Sequence, residues 1–166
     1  MVIFDEMVHA SVREGIKLSL SKTHLAFLHN NISSLKSLLT ELVTSDPEIK
    51  EGRKNVFVAV ESLYSMDGDL SPLQEIVDVV EEVLVNGNGL IVVDEAHSTG
   101  VYGRNGRGVV CALGLENRVF ARLHTFGKAL GCNGGKYCFL SCLSKSPEFG
   151  DRKVLLGEEE KLIRVI

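Results

Sequence analysis

Two uninterrupted apolar runs, at residues 56–60 and 90–93, constrain the fold of this chain more than any other feature of its sequence. Neither run alternates apolar with polar residues, and this is the pattern of a strand that is buried on both faces. Between them, apolar residues recur at helical spacing over residues 73–84. Strand, helix and strand in this order predict an α/β fold with a mostly parallel sheet and helices on both faces.

The remaining segments extend this alternation. A short apolar run at residues 2–4 predicts another strand, and leucines at helical spacing over residues 33–43 predict an amphipathic helix. Weaker signals predict a helix over residues 11–20, an apolar segment at 25–28, a polar linker at 44–55 and a short strand at 119–123. Ahead of the helix at 73–84, Ser71, Pro72 and Gln74 form the pattern of a capping box.

Composition and charge exclude several classes of protein. The 166 residues are 45% apolar and 24% charged, as in an ordinary globular domain. A net charge of −4 provides no basic surface for nucleic acid. No apolar stretch approaches the ~20 residues that span a bilayer, and the N-terminus lacks the features of a signal peptide. We therefore expect neither a nucleic-acid nor a membrane partner.

The cysteines predict an intracellular protein with reduced thiols. They are Cys111, Cys132, Cys138 and Cys142. No pair forms a CxxC motif and no histidine lies at zinc-finger spacing from them, so we predict no metal site. Disulfides are rare inside cells, which makes reduced thiols the simplest interpretation.

Polar residues follow the predicted strands at their carboxyl ends, where the functional groups of open α/β sheets collect. Asp94 and His97 follow one strand, and Thr125 and Lys128 follow the next. A lysine amine can form a Schiff base with the aldehyde of pyridoxal 5′-phosphate (PLP), and a carboxylate can keep the pyridine nitrogen protonated. A donor near the phenolic oxygen and a hydroxyl for the phosphate complete such a site. The four residues together predict a PLP site.

Each of these residues also has an ordinary structural interpretation. A lone lysine is usually a solvated surface charge, although Lys128 lies between Gly127 and Ala129 in a small, apolar setting that is unusual for one. Asp94 directly after a strand is also typical of a helix cap, and a lone histidine such as His97 is more often structural than catalytic. The prediction depends on the set of residues and not on any single member.

Several separate segments carry a resemblance to a known family. They are HAS at residues 9–11, FLHNN at 27–31, SMDGDLSPL at 65–73, VDEAHSTGVYG at 93–103, GRG at 106–108 and HTFGKALG at 124–131. These segments resemble the α-oxoamine synthases, PLP enzymes with the fold type I architecture of class I/II aminotransferases. The resemblance is in register from about residue 1 to residue 135. It is nearest to the 8-amino-7-oxononanoate synthase branch because of SMDGD and TFGKALG.

The resemblance implies a role for each matching position. Lys128 would be the Schiff-base lysine and would take the α-proton of the bound amino acid. Asp94 would pair with the pyridinium nitrogen, and Thr125 would help to hold the phosphate.

Three further positions take implied roles around the cofactor ring. His97 and Ser65 would contact PLP near its phenolic oxygen. His9 would stack on the ring and touch the amino-acid substrate.

The resemblance also implies a reaction and partners. Family members condense an amino acid with an acyl-CoA and release carbon dioxide, and their active sites lie at a homodimer interface. The nearest branch implies biotin-pathway chemistry with alanine and pimeloyl-CoA. We expect a cytoplasmic location and leave an organelle such as the peroxisome open, because a C-terminal address signal is not readable here.

The sequence departs from the family at both ends. It lacks the glycine-rich phosphate turn that precedes this region and the C-terminal small domain whose arginine binds the substrate carboxylate. We expect residues 1–135 to be the central part of the PLP-binding domain, and residues 136–166 to be an unmatched, poorly ordered tail. Our hypothesis for this tail is read-through of an intron. An incomplete site predicts impaired activity, so the alternative is a non-catalytic fragment that associates with full-length subunits.

A remote alternative is a fragment of a DEAH-type helicase. Residues 94–97 read DEAH directly after a strand, as in the magnesium-binding box of those ATPases. Such enzymes also need an upstream G-x-x-x-x-G-K-[ST] loop to bind phosphates. The sequence contains no such loop, and this weakens the helicase interpretation.

Overall fold

The strands of this chain form one seven-stranded sheet, as seen in a computed structural model that describes residues 1–139 and 155–156. The strands are β1 (Val2–Asp5), β2 (His24–Phe27), β3 (Val56–Glu61), β4 (Gly89–Asp94), β5 (Ala121–Thr125), β6 (Gly135–Phe139) and β7 (Leu155–Leu156). Their order across the sheet is β2-β1-β3-β4-β5-β6-β7. The first five strands are parallel to one another. β6 pairs antiparallel with β5, and β7 pairs antiparallel with β6. This confirms the predicted α/β fold with a mostly parallel sheet.

The helices lie between the parallel strands along the chain. They are α1 (Ala10–Leu18), α2 (Ile32–Ser45), α3 (Pro47–Lys50), α4 (Leu73–Val83) and α5 (Val109–Ala112), with a short 3₁₀ turn at Arg104–Gly106. The apolar stripes of α2 and α4 pack together with the alternate residues of β3 and β4 in one large core. Val92, Phe120 and Ala121 form a smaller cluster with the half-buried Phe57 and Leu90. Among the described residues, no helix is long and apolar enough to cross a membrane.

The two strands that dominated the sequence analysis lie at the centre of the sheet. β3 and β4 pair along their whole length, from Val56 opposite Gly89 to Glu61 opposite Asp94. All of their residues are buried or half-buried, as expected of continuous apolar runs. The paired ends therefore bring two carboxylates, those of Glu61 and Asp94, to the same edge of the sheet.

Several predicted boundaries and caps were wrong. The polar linker at 44–55 contains α3, whose Ile49 is buried in the core while the residues around it are polar. The predicted helix at 11–20 ends at Leu18, and Leu20 is 93% exposed. The strand predicted at 119–123 begins two residues later, at Ala121.

The capping box ahead of α4 is also wrong. Pro72 is the N-cap residue and makes no side-chain cap bond, and the Ser71 hydroxyl is buried without a hydrogen-bond partner in the described part of the chain. The side chain of Gln74 instead donates to Asp78, one turn along the helix. The sequence pattern was present, but the backbone at Ser71 directs its carbonyl, not its hydroxyl, to the N–H of Leu73.

The sheet continues past the boundary that the sequence suggested. Gly135, expected to be the last matching residue, is the first residue of β6, which pairs with β5 and reaches Phe139. The two residues of β7 then pair with Lys136 and Tyr137. The rest of the tail, residues 140–154 and 157–166, lies outside the described residues.

Candidate functional site

Acidic and hydroxyl side chains collect where the parallel strands end. β1, β3, β4 and β5 terminate in Asp5, Glu61, Asp94 and Thr125, and all four are buried. Parallel strands bring their carboxyl ends to one edge of the sheet, and this edge is where ligands of open α/β folds bind. The predicted site residues Asp94 and Thr125 therefore lie on neighbouring strands of the same edge.

Asp94 is held at the centre of this edge. Its side chain is almost fully buried, and its Oδ1 atom accepts the backbone N–H of Ala96 at 2.8 Å. Its carbonyl accepts the N–H of Ser62 from the neighbouring loop, at 2.9 Å. These bonds fix the turn that follows β4, so the carboxylate position is determined by the sheet and not by a mobile loop.

Glu61 is a site residue that the sequence analysis missed. It is 4% exposed, it lies opposite Asp94 in the sheet, and its Oε1 atom accepts the backbone N–H of His9 at 2.5 Å. Burial, followed by the nearby charge of Asp94, raises the pKa of Glu61 to about 7. A signal existed in the sequence, because Glu61 follows an apolar run just as Asp94 does. It was not used.

Three predicted site residues with basic side chains interact electrostatically, with His97 between the other two in effect. Burial lowers the pKa of His97, and the positive charges of Lys128 and then of His9 lower it further. His9 is the N-cap residue of α1, where its Nδ1 atom accepts the N–H of Ser11 at 3.2 Å. Lys128 and His9 therefore both lie close enough to His97 to affect its pKa, and the roles of the three residues stay predictions.

Lys128 lies in an exposed turn after β5. The turn is closed by hydrogen bonds from the N–H of Gly131 to the carbonyl of Lys128 and from the N–H of Cys132 to the carbonyl of Phe126. The small residues beside Lys128 reflect contact with another loop and not burial of the amine. A Cβ atom added to Gly100 would lie 3.1 Å from the Leu130 side chain, so the lysine turn packs closely on the turn that carries His97.

Thr125 and Ser65 occupy different environments. Thr125 is buried, and its Oγ1 atom has no hydrogen-bond partner in the described part of the chain. A buried hydroxyl without a partner is costly, which makes Thr125 a candidate for binding a ligand oxygen. Ser65 is exposed in the loop after β3, where a hydrogen bond from Gly68 to the carbonyl of Tyr64 closes the turn around it.

Glu95 stabilises the loops around the site through buried contacts. It is fully buried, and its Oε1 atom accepts the N–H of Val110 at 2.9 Å and the hydroxyl of Ser98 at 3.3 Å. Its Oε2 atom lies 3.6 Å from Nε2 of His124 and 3.9 Å from Arg122. Glu95, the second residue of the DEAH segment, therefore makes internal contacts. The structure offers no support for the helicase alternative.

The arrangement suits an organic ligand with both a basic nitrogen and an anionic group. The edge offers a buried carboxylate at Asp94, an unpartnered hydroxyl at Thr125 and an exposed amine at Lys128. Among the described residues, no cluster of three or more His, Cys, Asp and Glu side chains could hold a metal ion. The exposed amine of Lys128 favours an anionic ligand.

Comparisons with known proteins agree with this geometry. The family model for aminotransferase class I and II matches residues 1–151. An 8-amino-7-oxononanoate synthase of Emericella nidulans is 49% identical over 134 residues, which are 81% of this chain and 32% of that protein. The aminoacyl transferase sphA of Aspergillus fumigatus is 44% identical over 133 residues, or 80% of this chain and 28% of that protein. The chain thus spans about a third of the length of the curated relatives it matches.

Solved structures show the same similarity. A serine palmitoyltransferase of S. paucimobilis, with PLP and myriocin bound, superposes with a TM-score of 0.69 at 33% identity. The match covers 89% of this chain and 33% of that one. The serine palmitoyltransferase of Sphingomonas wittichii gives a TM-score of 0.69 at 33% identity, over 86% of this chain and 32% of that one.

Proposed function

The chain belongs to the aminotransferase class I and II family, and from this premise we propose that it forms the central part of the PLP-binding domain of an α-oxoamine synthase. PLP is the cofactor of this class of enzyme. The observation that carries the proposal is the meeting of three groups at one sheet edge. These are the buried carboxylate of Asp94, the unpartnered hydroxyl of Thr125 and the exposed amine of Lys128.

The chemistry of these residues supports PLP as the ligand. When bound, PLP supplies an aldehyde for an amine and a protonated ring that withdraws electrons from the α-carbon of an amino acid. The Lys128 amine lies in solvent, where it can reach an incoming aldehyde. Asp94 can hold a proton on the pyridine nitrogen, because its carboxylate is fixed at the end of β4 by the Ala96 N–H. Thr125 would donate its hydroxyl to the phosphate.

The remaining predicted residues surround the ring in this proposal. His97 and Ser65 would donate to the phenolic oxygen, and His9 would stack on the ring. The lowered pKa of His97 keeps its imidazole neutral near pH 7, so one ring nitrogen remains an acceptor. Glu61 would hold His9 in place through the backbone N–H of that residue.

Glu61 also sets the charge of the site. With a pKa of about 7, Glu61 is largely protonated below neutral pH, because burial and the nearby charge of Asp94 oppose its ionisation. A single carboxylate charge beside the ring is what a pyridinium nitrogen needs. Ionisation of Glu61 above pH 7 would add a second negative charge next to Asp94. Burial at this edge of the sheet disfavours that charge.

The substrates that we propose are an amino acid and an acyl-CoA, condensed with loss of carbon dioxide by a homodimer. The similarity to the Emericella nidulans protein supports 8-amino-7-oxononanoate synthesis, and hence the biotin pathway. The similarity to sphA of Aspergillus fumigatus supports an aminoacyl transferase as the second candidate. A fragment that associates with full-length subunits without catalysis is the third. The location that we propose is intracellular and cytoplasmic, where thiols such as those of Cys111, Cys132 and Cys138 are usually reduced.

Borohydride reduction of the full chain with PLP tests the cofactor assignment. We expect mass spectrometry to find the reduced pyridoxyl group on the peptide that contains Lys128. Lys128→Ala should abolish this product, whereas Lys22→Ala, at an exposed lysine before β2, should leave it unchanged. Equal labelling of wild type and Lys128→Ala would contradict the proposal. Assays with alanine and pimeloyl-CoA, against other acyl-CoA and amino-acid pairs, then separate the candidate functions.

A further inference from the structure

His29 lies between two carboxylates at the carboxyl edge of the sheet, and no role has yet been assigned to it. Its Nδ1 atom lies 2.8 Å from Oδ1 of Asp5, and its Nε2 atom lies 2.8 Å from Oδ2 of Asp69. The ring of Tyr64 packs edge-on against it, with ring centroids 4.5 Å apart. The two carboxylates come from different elements, since Asp5 ends β1 and Asp69 lies in the loop after β3.

This geometry requires a doubly protonated ring. Ionised carboxylates only accept hydrogen bonds, so both ring nitrogens must donate, and only the imidazolium has two N–H donors. Burial lowers the pKa of His29, but the hydrogen bonds to Asp5 and Asp69 outweigh it and the net shift is upward. In the described part of the chain, the other titratable groups near the residue are Glu61, whose pKa the charge of His29 lowers, Tyr64, and Glu6, whose carboxylate accepts the His29 backbone N–H at 3.0 Å.

Asp5 anchors the first side of this bridge. It is fully buried, and besides the ring it accepts the backbone N–H groups of Met7 and Asn30, each at 2.8 Å. Three donors compensate for the burial of its charge. The same carboxylate therefore fixes the loop after β1, which leads through Met7 to His9, and the loop after β2.

Asp69 anchors the other side of the bridge. Its Oδ2 atom accepts the side-chain amide of Asn30 at 2.6 Å as well as the ring, and its carbonyl accepts the N–H of Tyr64 at 3.0 Å. Tyr64 immediately precedes Ser65. Asp69 and Tyr64 thus close the turn that carries Ser65.

We propose that His29 is a positioning residue, whose ring joins Asp5 to Asp69 and thereby holds the loop of His9 and the loop of Ser65 in one fixed arrangement. It acts through the two carboxylates. The inference rests on the proposed function only because His9 and Ser65 are the groups that would meet the cofactor. The bridge itself is a property of the chain without any ligand.

Amide hydrogen exchange in the full chain tests the bridge without cofactor. His29→Gln replaces a ring with donors on opposite sides by a single amide, which cannot span both carboxylates. We expect the amides of Met7, Asn30 and Tyr64 to exchange about tenfold faster. Met7 and Asn30 donate to the Asp5 carboxylate, and Tyr64 donates to the backbone carbonyl of Asp69, so all three bonds depend on residues that the bridge holds. The matched control is His24→Gln. His24 lies at the other end of β2 and bonds the carbonyl of Ser21, so the same amides should be unaffected.

Two further measurements separate positioning from general stability. Nitrogen-15 shifts of the ring should show His29 predominantly doubly protonated at pH 6.5, the ordinary pKa of histidine. Equilibrium dialysis should show about tenfold weaker PLP retention in His29→Gln than in His24→Gln. At saturating PLP, borohydride should still label Lys128 in both variants, because the lysine turn is not part of the bridge.

The outcomes are distinguishable. Equal exchange in the two variants, or a predominantly neutral ring at pH 6.5, would overturn the inference. If wild type binds no PLP, the proposed function fails, and the exchange and ring shifts still decide whether the bridge exists. If His29→Gln does not fold, the wild-type ring shifts decide together with Asp69→Asn, in which the pKa of His29 should fall. An unchanged pKa in that variant would also overturn the inference.

Discussion

Two carboxylate–histidine clusters lie near the candidate site. One favours a protonated, positively charged imidazole ring, and the other favours a neutral ring. In the edge cluster (Asp5, His29 and Asp69), both ring nitrogens meet carboxylate oxygens at 2.8 Å, and the pKa of the histidine is raised. In the buried cluster (Glu95, Thr99 and His124), Nε2 lies 3.6 Å from the carboxylate, and the pKa of His124 is lowered to about 4.

Burial and neighbouring cations explain the difference. His124 is mostly buried, and Arg122 and Lys136 place positive charge near it, so protonation is opposed. The hydroxyl of Thr99 donates its one proton to the carbonyl of Glu95 at 2.6 Å, so Nδ1 of His124 must be the donor in its 2.8 Å bond to Thr99. A nearby carboxylate is therefore not enough to raise the pKa of a histidine. The pKa is raised where a carboxylate accepts a hydrogen bond from each ring nitrogen, as at His29.

The two clusters also support different parts of the site. Glu95 and His124 are the chain neighbours of Asp94 and Thr125, so the buried cluster underlies the groups proposed to bind the two ends of PLP. The edge cluster fixes surface loops. We therefore expect damage to the buried cluster to cost more unfolding free energy than damage to the edge cluster.

The largest effect should follow Gly108→Ala. Gly108 has a φ of +94°, and an added Cβ atom would overlap the Glu95 carboxylate. Glu95 cannot move aside cheaply, because it is fully buried and bonded to the N–H of Val110. Backbone strain and loss of the buried contacts should together lower the free energy of unfolding by about 4 kcal/mol. Urea denaturation of the full chain measures this.

Gly114→Ala is the matched control for backbone strain. Gly114 has a φ of +70°, and an added Cβ atom would meet nothing within 4 Å. We expect a loss of about 1 kcal/mol from the left-handed conformation alone. Equal losses at Gly108 and Gly114 would mean that the Glu95 carboxylate is not held rigidly, and that the buried cluster does not support the site.

The next effect is a pH dependence of opposite sign in the two clusters. Unfolded His124 takes up a proton near pH 6.5, whereas the folded residue resists it until about pH 4. Its contribution to stability is therefore complete above pH 6.5 and is lost as pH falls, by about 3 kcal/mol in all. The difference in unfolding free energy between wild type and His124→Gln, measured in urea from pH 7 to pH 4, isolates this contribution.

His29 should give the reverse dependence. Its raised pKa means that its contribution is fully present below pH 6.5 and is lost as pH rises through the folded-state pKa. The difference in unfolding free energy between wild type and His29→Gln should therefore decrease as pH rises. The corresponding difference for His124→Gln should increase. Two curves of the same sign would remove the distinction between the clusters.

The periodic elements of this fold were predictable from the sequence, because their burial leaves a regular pattern. The apolar runs of β3 and β4 and the stripes of α2 and α4 were identified correctly. α3 was missed, because one buried residue, Ile49, in a polar segment leaves no period. Ser71 was misassigned as a cap because the sequence does not reveal which of its oxygens faces the helix.

The candidate site was predictable only where its residues follow strands. Asp94 and Thr125 end β4 and β5, His97 and Lys128 follow these strands, and the sequence order shows this. The two histidine clusters were not predictable, since they join residues that are far apart in the chain. His29, for example, meets Asp69 across forty positions. Such pairings depend on the register of the sheet and on loop conformations, which periodicity does not determine.

The smallest effect should follow Asp69→Asn in the edge cluster. The asparagine oxygen can still accept the Nε2 proton of His29, so the geometry is kept and one negative charge is lost. The Asp69 side chain is 37% exposed, and solvent screening limits the cost to about 1 kcal/mol at pH 6. Asp67→Asn removes the same charge from an exposed position in the same turn and should cost nothing measurable. Urea denaturation compares the two variants, and ring nitrogen shifts should show a lower His29 pKa in Asp69→Asn alone. If both variants lost the same stability, the effect would be general charge and not the bond to His29. The edge cluster would then be an ordinary surface ion pair, and only burial would distinguish it from the buried cluster.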